Sequence, residues 1–276
     1  MPVAATAPDV VAVIPALDAS RTIGPVIAGT RRHLSRVVVV DDGSGDDTGA
    51  CAVAAGAALI RHPATLGKGA ALATAFAWLL PGGPGALAGI PCDGVLTLDA
   101  DGQHDPDDIP AFLDQFAASH PAVIVGSRAR YFASMWGPRR AMNRFSSAAL
   151  HFFSGADLPD SQSGFRLYDA RFLERAVPSP LAPAAGVPAG GGPPLLGRRY
   201  EAEMQLLMRA ARMGLPIASV PIRLTVADGR ATSHYRSLRD TFRIVGAVLR
   251  ERMRGAPVGP GGAAQRGEAG RRAGRA

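Results

Sequence analysis

Cysteine and long apolar runs are the scarcest features of this sequence. Its 276 residues include only two cysteines, Cys51 and Cys92, which form no CxxC pair. This usage is typical of a reduced, cytosolic protein rather than one held together by disulfides. No run approaches 18 apolar residues, because the best candidate, residues 70–80, stops at Pro81. No N-terminal stretch joins a basic start to an apolar core, so we predict neither a transmembrane helix nor a signal peptide.

Two phosphate-binding signatures are also missing. The motif Gly67-Lys68-Gly69 lacks the GxxxxGK[ST] spacing of a P-loop, and no GxGxxG sequence supports a dinucleotide-binding Rossmann fold. The motif still opens a predicted helix with bare backbone N–H groups, the positive end of a helix dipole and a lysine. All three features favour the binding of phosphate. A plain helix start is the alternative interpretation.

The net charge of +7 is unevenly distributed along the chain. The segment from Arg250 onward contains seven arginines and two glutamates, so five of the seven net positive charges lie there. A basic end of this kind is expected of a tail that touches an anionic surface or only solubilises the protein. We therefore expect no nucleic-acid partner. DNA binding through this tail is the alternative, and it would depend steeply on salt.

Strand and helix patterns alternate through the first half of the chain, and hydrophobic residues make up 47% of the whole, enough for a sizeable core. Strands are predicted at 10–14, 37–40, 57–61, 95–98 and 123–126, and helices at 20–34, 47–55, 70–80 and 107–117. This alternation predicts an α/β fold with a mostly parallel sheet covered by helices on both faces. Ligands in such sheets bind beyond the carboxyl ends of the strands.

The second half is less regular. It is predicted to contain a helix at 136–153, a polar loop at 160–166 entering a short strand, a helix at 200–214 and one or two strands within 217–226. The expected domains are a flexible N-terminus at 1–9, one α/β domain at 10–234 with a Pro/Gly-rich insertion at 178–197, a C-terminal amphipathic basic helix at 235–254 and a disordered tail at 255–276.

Acidic pairs follow two of the predicted strands. Asp99 and Asp101 end the strand at 95–98 in the pattern Asp-x-Asp-Gly, and Asp41-Asp42 end the strand at 37–40. Both pairs should face one crevice, since they lie at carboxyl ends of parallel strands. Carboxylates of this kind suit Mg²⁺ or Mn²⁺, with substrate phosphates completing the shell. An acidic turn that caps the next helix is the alternative for either pair.

Several basic residues and histidines are further candidates for the site. The arginines able to bind anionic oxygens by bidentate contacts are Arg128, Arg139, Arg140 and Arg166, each of which is also compatible with a solvated surface charge. His104 and His234 lie beside polar loops. The other histidines show no partner pattern and are expected to be structural: His33, His62, His120 and His151. Glu201 and Glu203 are compatible with ordinary exposed helix residues that point to different faces.

Taken in order, these motifs resemble family-2 glycosyltransferases of the GT-A fold. Within that family the chain is most similar to the dolichyl- and polyprenyl-phosphate mannose or glucose synthases. The resemblance covers about residues 10–250 and rests on Val13-Ile14-Pro15-Ala16, Val39-Val40-Asp41-Asp42-Gly43-Ser44, Gly67-Lys68-Gly69-Ala70-Ala71-Leu72, Asp99-Ala100-Asp101-Gly102-Gln103-His104, Gly126-Ser127-Arg128, Asn143, Ser163-Gly164-Phe165-Arg166, Tyr200-Glu201-Ala202-Glu203-Met204 and Ser233-His234-Tyr235-Arg236. It implies a single nucleotide-sugar-binding domain.

The resemblance implies a role for each matching residue. The donor would be bound by Pro15, Ala16, Asp18, Asp41, Asp42, Gly67 and Lys68. A divalent metal would be held by Asp99, Asp101 and Gln103. The expected catalytic residues are Asp99, Asp101, Arg128 and Arg140. Arg128 and Arg140 would meet the acceptor phosphate or the donor diphosphate, and the other acceptor-side residues would be Arg139 (an alternative to Arg140), Arg166, His234 and Arg236.

The implied activity is an inverting, Mg²⁺- or Mn²⁺-dependent transfer of a hexose from a nucleotide-diphospho-sugar to polyprenyl (dolichyl or undecaprenyl) phosphate. A lipid phosphate is mostly ionised at neutral pH and needs no general base. A hydroxyl acceptor on a glycolipid or small molecule, the first alternative, would need a carboxylate such as Asp157, Asp160 or Glu203. The second alternative is a nucleotide-sugar binder without turnover. A processive polymerase is disfavoured, because Arg209 does not complete a QxxRW motif with Gln205.

The C-terminal helix predicted at 235–254 carries apolar residues on one side and arginines elsewhere. With the basic tail, it would rest on an anionic bilayer surface where a lipid acceptor resides. A helix packed on the domain is the alternative. The expected location is cytoplasmic, peripheral on the inner face of the cytoplasmic membrane.

Overall fold

The computed structural model of the chain describes residues 7–80, 92–132, 140, 143, 144, 147, 148, 151, 158–177, 196, 197 and 201–225. The strands are β1 Val10–Ala16, β2 Arg36–Asp41, β3 Ala58–Arg61, β4 Gly94–Thr97, β5 Val123–Ser127, β6 Arg166–Asp169 and β7 Ile217–Pro221. The helices are α1 Ile23–Arg31, α2 Thr48–Ala54, α3 Lys68–Leu79, α4 Ile109–Ser119, α5 Ala170–Ala176 and α6 Glu201–Arg212.

The strands form one seven-stranded sheet in the order β3-β2-β1-β4-β6-β5-β7. All neighbours run parallel except β6, which is antiparallel to both β4 and β5. The mostly parallel α/β fold predicted from the sequence is thereby confirmed. Because β1 lies between β2 and β4, the loops that follow these three strands meet at one edge of the sheet.

Alternating side chains of the strands build a core on each face of the sheet. In β2, Val38 and Val40 belong to a cluster that also contains Phe76 of α3, whereas Val37 and Val39 belong to the cluster of α1 and α4. Burial on both faces explains why the parallel strands are continuous apolar runs rather than alternating ones. The sheet is therefore a rigid base for the loops at its edge.

Two helices differ from the prediction. Helix α1 begins at Ile23 rather than Ser20, because the main chain at Ala19–Thr22 first forms a turn in which the Thr22 N–H donates to the Ala19 carbonyl (3.0 Å). Helix α5 was not predicted. It follows β6 directly, and the Asp169 carboxylate caps it by accepting from the Phe172 N–H at 2.8 Å.

Several predicted segments lie outside the described residues. They are most of the helix at 136–153 and of the insertion at 178–197, together with the helix at 235–254 and the tail at 255–276. Those described between 140 and 151 are helical. None of the helices in the described ranges combines the length and the hydropathy needed to cross a bilayer.

Candidate active site

The loop after β1 is clamped onto the loop after β2. The Asp18 N–H donates to the Ser44 hydroxyl (3.0 Å), and the Gly45 N–H donates back to the Asp18 carboxylate (2.8 Å). The Ala19 N–H donates to the Thr48 hydroxyl at 2.7 Å. Asp18 has a left-handed φ of 49°, which Asp tolerates better than most residues. The exposed Asp18 is thus held at the mouth of the crevice.

A second set of contacts extends this clamp to the acidic turn after β4. The Asp46 carboxylate accepts from the Thr48 hydroxyl and from the N–H groups of Thr48 (3.0 Å) and Ser20 (3.1 Å). These bonds, the Thr48 hydroxyl first, hold the pKa of Asp46 well below its usual range. The Thr22 hydroxyl donates to the Ala100 carbonyl at 2.6 Å. The loops after β1, β2 and β4 therefore form one connected rim.

Asp42 organises the loop that leads to the glycine–lysine motif. Its carboxylate lies 2.7 Å from His62 Nδ1 and accepts from the N–H groups of Leu66 (3.0 Å) and Gly67 (2.7 Å). The other ring nitrogen of His62 lies 2.9 Å from the Thr74 hydroxyl, in agreement with a structural role. Asp42 is buried and its oxygens are occupied by protein donors. The role visible here is structural, and a contact with the donor stays a prediction.

Asp41 is also fully buried. One oxygen accepts from the Ser44 N–H at 2.8 Å and the other lies 3.5 Å from the Arg61 guanidinium. Pro15 and Ala16 end the neighbouring strand, and Ala16 pairs with Asp41 in register. Both acidic pairs lie at the same sheet edge, as predicted, but Asp41 shapes the turn rather than facing the crevice.

The glycine–lysine motif links the two acidic pairs. Gly67, with a φ of 104° that favours glycine, turns the chain so that its N–H reaches Asp42 and α3 begins at Lys68. The Lys68 ammonium lies 2.6 Å from Asp99 Oδ1 and 3.1 Å from Glu203 Oε1. Glu203 is buried, which contradicts the expectation of an exposed helix residue. It lies in α6, which packs beside α3 on the same face of the sheet.

Asp99 is held in its ionised form. Burial alone would raise its pKa, but the Lys68 ammonium outweighs burial and lowers the pKa to about 2. His104 accepts the Asp99 N–H at Nδ1 (3.3 Å) and packs on Phe165, and burial lowers the pKa of His104 despite the nearby carboxylate. Gly164 lies against this pair. A Cβ there would be 2.6 Å from both the Asp99 carboxylate and the Lys68 ammonium.

Asp101 is the carboxylate most available to a metal. One oxygen accepts from the Gln103 N–H at 3.0 Å, and no ion-pair partner of Asp101 lies among the described residues. The Gln103 carbonyl accepts from the Thr225 N–H (3.0 Å), which fixes the turn. No cluster of three or more His, Cys, Asp or Glu in the described ranges would hold a metal alone. Two carboxylates and an amide oxygen fit Mg²⁺ or Mn²⁺ whose shell a diphosphate completes.

Arg128 follows β5 and is held by Asp160. Its Nε and Nη2 donate to the two carboxylate oxygens at 2.7 and 3.0 Å, and its main-chain N–H donates at 3.1 Å. Burial opposes both charges, but this contact outweighs it, so the pKa of Arg128 is raised and that of Asp160 is lowered. Nη1 of Arg128 has no hydrogen-bond partner within the described part of the chain. This nitrogen is free to meet an anionic ligand.

The family model of glycosyl transferase family 2 matches residues 11–176. The chain belongs to glycosyl transferase family 2. This confirms the family recognised in the sequence motifs and the glycosyltransferase class of activity.

Similar proteins extend this assignment. The glycosyltransferase is 28% identical over 213 residues to a polyprenol monophosphomannose synthase of Mycolicibacterium smegmatis, covering 73% of this chain and 72% of that one. It is 30% identical over 196 residues to an undecaprenyl-phosphate mannosyltransferase of Micrococcus luteus, covering 68% and 71%. The glucosyl-3-phosphoglycerate synthase of Mycobacterium tuberculosis, solved with UDP, superposes with a TM-score of 0.64 at 21% identity over 89% of this chain and 80% of that one. This last similarity shows the fold alone. That synthase has also been solved with Mg²⁺ and with Mn²⁺.

Arg166 does not have the position expected of an acceptor-binding residue. It is 1% exposed, and its guanidinium donates to the main-chain carbonyls of Ser163 (2.7 Å), Glu203 (2.8 Å) and Ser161 (2.7 Å). A phosphate would reach it only if this loop opened. The predicted role is therefore corrected: in the glycosyltransferase Arg166 ties the polar loop after residue 160 to α6.

For the remaining predicted site residues, the described part of the chain shows no contact with the crevice. Arg140 is helical and exposed, and no contact with the site is found among the described residues. Arg139, His234 and Arg236 lie outside the described ranges. Sequence reasoning considered Glu203 only as an exposed residue or a base and missed its contact with Lys68. The available signal was that Glu203 shares a helix face with Leu206 and Leu207, which are buried.

Proposed function

We propose that the chain is an inverting, metal-dependent hexosyltransferase with a nucleotide-diphospho-sugar donor and a polyprenyl-phosphate acceptor. The names of the two curated relatives support this acceptor class. The supporting observation in the structure itself is that two carboxylates that could serve as a general base, Asp160 and Glu203, are paired with cations.

A hydroxyl acceptor needs a free carboxylate as general base. Of the three candidates, Asp160 is bound bidentately by Arg128 and Glu203 is paired with Lys68, while Asp157 lies outside the described residues. Neither described candidate is available to take a proton. A phosphate acceptor, whose second pKa is about 6, is already ionised at neutral pH and needs none. The site therefore favours a phosphate nucleophile.

Different residues of the chain would bind the metal, the nucleotide and the acceptor phosphate. Asp99, Asp101 and Gln103 would hold Mg²⁺ or Mn²⁺, and the ion when bound would neutralise the charge that develops on the leaving diphosphate. The rim around Asp18 would hold the nucleotide. Arg128, fixed by Asp160, would direct Nη1 at the acceptor phosphate. Attack opposite to the leaving group inverts the anomeric carbon.

The acceptor chain of a polyprenyl phosphate lies in a bilayer, so the enzyme would work at a membrane surface. The basic helix predicted at 235–254 and the tail after it would supply the contact with anionic lipid. We place the enzyme on the inner face of the cytoplasmic membrane on these grounds.

The test is a donor screen with Mn²⁺ or Mg²⁺. UDP-glucose, UDP-GlcNAc, UDP-galactose and GDP-mannose are each incubated with undecaprenyl phosphate, with undecaprenol, with 3-phosphoglycerate or without acceptor. Nucleotide release and glycosylated product are both measured, and co-sedimentation with anionic liposomes is scored for the full chain and for residues 1–234. We expect product with the lipid phosphate only, abolished by Asp101→Asn and by chelation of the metal.

The matched control is Asp114→Asn, which removes an exposed carboxylate from α4 and should leave the product unchanged. Product with undecaprenol or phosphoglycerate instead would move the assignment to a hydroxyl acceptor. Donor binding without any product would support a non-catalytic nucleotide-sugar binder. Equal liposome binding by the two lengths of chain would reject the proposed membrane contact.

A further inference from the structure

Lys68 is shared between carboxylates in two different environments. Its side chain is 18% exposed, and it lies between Asp99, whose side chain is 30% exposed, and Glu203, whose side chain is 5% exposed. Asp99 is thus the partner on the crevice side and Glu203 the partner on the buried side. The contact with Asp99 is the shorter one, at 2.6 Å against 3.1 Å.

A divalent cation and Lys68 would compete for Asp99. An ammonium group on a carboxylate opposes the arrival of a second cation at that carboxylate, since like charges a few ångströms apart repel strongly where water is excluded. Occupation of the metal site therefore requires that the charge of Lys68 be met elsewhere. Among the described residues, Glu203 is the carboxylate placed to meet it.

Glu203 is fixed in position through its main chain, and its side chain contacts Lys68. Its main-chain carbonyl accepts from Arg166 at 2.8 Å, so the first turn of α6 is anchored to the polar loop. Its side-chain Oε1 makes no hydrogen bond within the described residues, and its ion pair there is with the Lys68 ammonium at 3.1 Å. The buried Glu203 carboxylate is therefore placed to hold the Lys68 ammonium.

We propose that Glu203 is a positioning residue that retains Lys68 and thereby leaves Asp99 free for the divalent cation. Glu203 acts through Lys68 and touches neither substrate nor metal. This inference rests on the proposed function, because it requires a divalent cation at Asp99.

The test measures Mn²⁺ alone, without nucleotide, because donor phosphates would also report on Lys68. The full chain is titrated with Mn²⁺, and the free ion is followed by its electron paramagnetic resonance signal. The proteins compared are the wild type, Glu203→Gln, Lys68→Met and the double variant. We expect Glu203→Gln to weaken Mn²⁺ binding on the order of tenfold. The double variant should bind as Lys68→Met does, since without Lys68 the side chain at position 203 has no ammonium group to retain.

Two controls separate this role from a general effect on folding. Glu201→Gln removes the same charge two residues earlier in α6, from a side chain that is only half-buried, and should leave Mn²⁺ affinity unchanged. Glu203→Asp keeps the charge and should recover part of the loss. Urea unfolding of each variant confirms that the folded protein is being titrated.

Three results would overturn the inference. They are equal Mn²⁺ affinity in the wild type and Glu203→Gln, a loss that persists in the Lys68→Met background, and no Mn²⁺ binding by the wild type. The third would also remove the metal from the proposed function. Wild-type protein that transfers sugar while Glu203→Gln binds Mn²⁺ normally would refute this inference alone. Normal Mn²⁺ results without sugar transfer would refute the proposed function alone.

Discussion

The two halves of the crevice neutralise their carboxylates in different ways. In the half to which we assign the donor, called the donor half and formed by the loops after β1, β2 and β4, carboxylates mostly accept from main-chain N–H groups, as Asp41 does from Ser44 and Asp101 from Gln103. In the half to which we assign the acceptor, called the acceptor half and lying around β5 and α6, they are paired with cations from distant parts of the chain. Asp160 holds Arg128, and Glu203 holds Lys68.

The two kinds of hydrogen-bond donor have different effects on the conformation and on the net charge of the crevice. Main-chain donors fix a loop while leaving its net negative charge in place, which suits a rim that recruits a metal–diphosphate. Cationic partners cancel the charge of buried carboxylates and hold the cations at defined positions, which suits binding of a second anion. The acceptor half should therefore be the more sensitive to loss of a single carboxylate charge.

The largest difference in the free energy of unfolding is expected between two Asp→Asn variants, one in each half. Asp160→Asn removes the bidentate partner of a buried arginine and should lower the free energy of unfolding by about 3–5 kcal/mol, the cost of leaving a buried charge unpaired. Asp42→Asn leaves an amide oxygen that still accepts one N–H, so about 1–3 kcal/mol is expected. Urea unfolding at neutral pH measures both.

Arg32→Ala is the control, because the ion pair of Arg32 with Asp107 is exposed, with Arg32 58% and Asp107 48% accessible, and should contribute much less to the free energy of unfolding than either buried contact. Equal losses in Asp160→Asn and Asp42→Asn would show that the two halves do not differ in the way described.

The same contrast explains which parts of the fold were predictable. Strands β1 to β5 and helices α1 to α4 each carry their pattern in adjacent residues, with apolar runs that end in glycine, proline or aspartate. The antiparallel insertion of β6 between β4 and β5 has no local signal, because strand order depends on packing of the whole sheet. Helix α5 was missed since it has only seven residues and no loop separates it from β6.

For the site, the acidic turns were recognisable because Asp-x-Asp-Gly and Asp-Asp-Gly-Ser are contiguous. The ion pairs were not, since Arg128 and Asp160 lie 32 positions apart and nothing in either segment specifies the other. Arg166 shows the limit most clearly. The resemblance implied that it binds the acceptor, yet its guanidinium donates to three carbonyls of its own chain.

A smaller effect is expected at Asp99, where the two halves meet through Lys68. The pKa of Asp99 is 3.8 in the reference state and about 2 in the folded protein. The folded state therefore binds fewer protons between these values. The stabilisation is complete above about pH 5 and is lost as the pH falls through 2. The difference in free energy of unfolding between the wild type and Asp99→Asn should thus shrink by ~2 kcal/mol from pH 5 to pH 2.

Urea unfolding at a series of pH values measures this difference. Asp114→Asn, which removes an exposed carboxylate, is the reference for the loss of a charge outside the crevice. A difference that stays constant down to pH 2 would mean that Lys68 does not stabilise the ionised form of Asp99, and the connection between the halves would lose its electrostatic basis.

The smallest effect on stability is expected at Asp18, on the rim of the donor half. Asp18→Asn keeps an oxygen that accepts the Gly45 N–H and a side chain that tolerates the left-handed φ of 49°, so the free energy of unfolding should change by less than about 0.5 kcal/mol. Asp18→Ala loses both the hydrogen-bond acceptor and the tolerance of a left-handed φ, and it should cost about 1–2 kcal/mol.

Isothermal titration with UDP and GDP in the presence of Mn²⁺ then tests whether Asp18 contributes to nucleotide binding through the shape of the loop or through its charge. Equal nucleotide affinity in the wild type and Asn variant, with weaker binding by Ala, would mean that Asp18 serves the donor only by holding the loop. Weaker binding by the Asn variant, whose fold is intact, would mean that the carboxylate itself contacts the donor. In that case the donor half would recognise its ligand by charge as well as by shape.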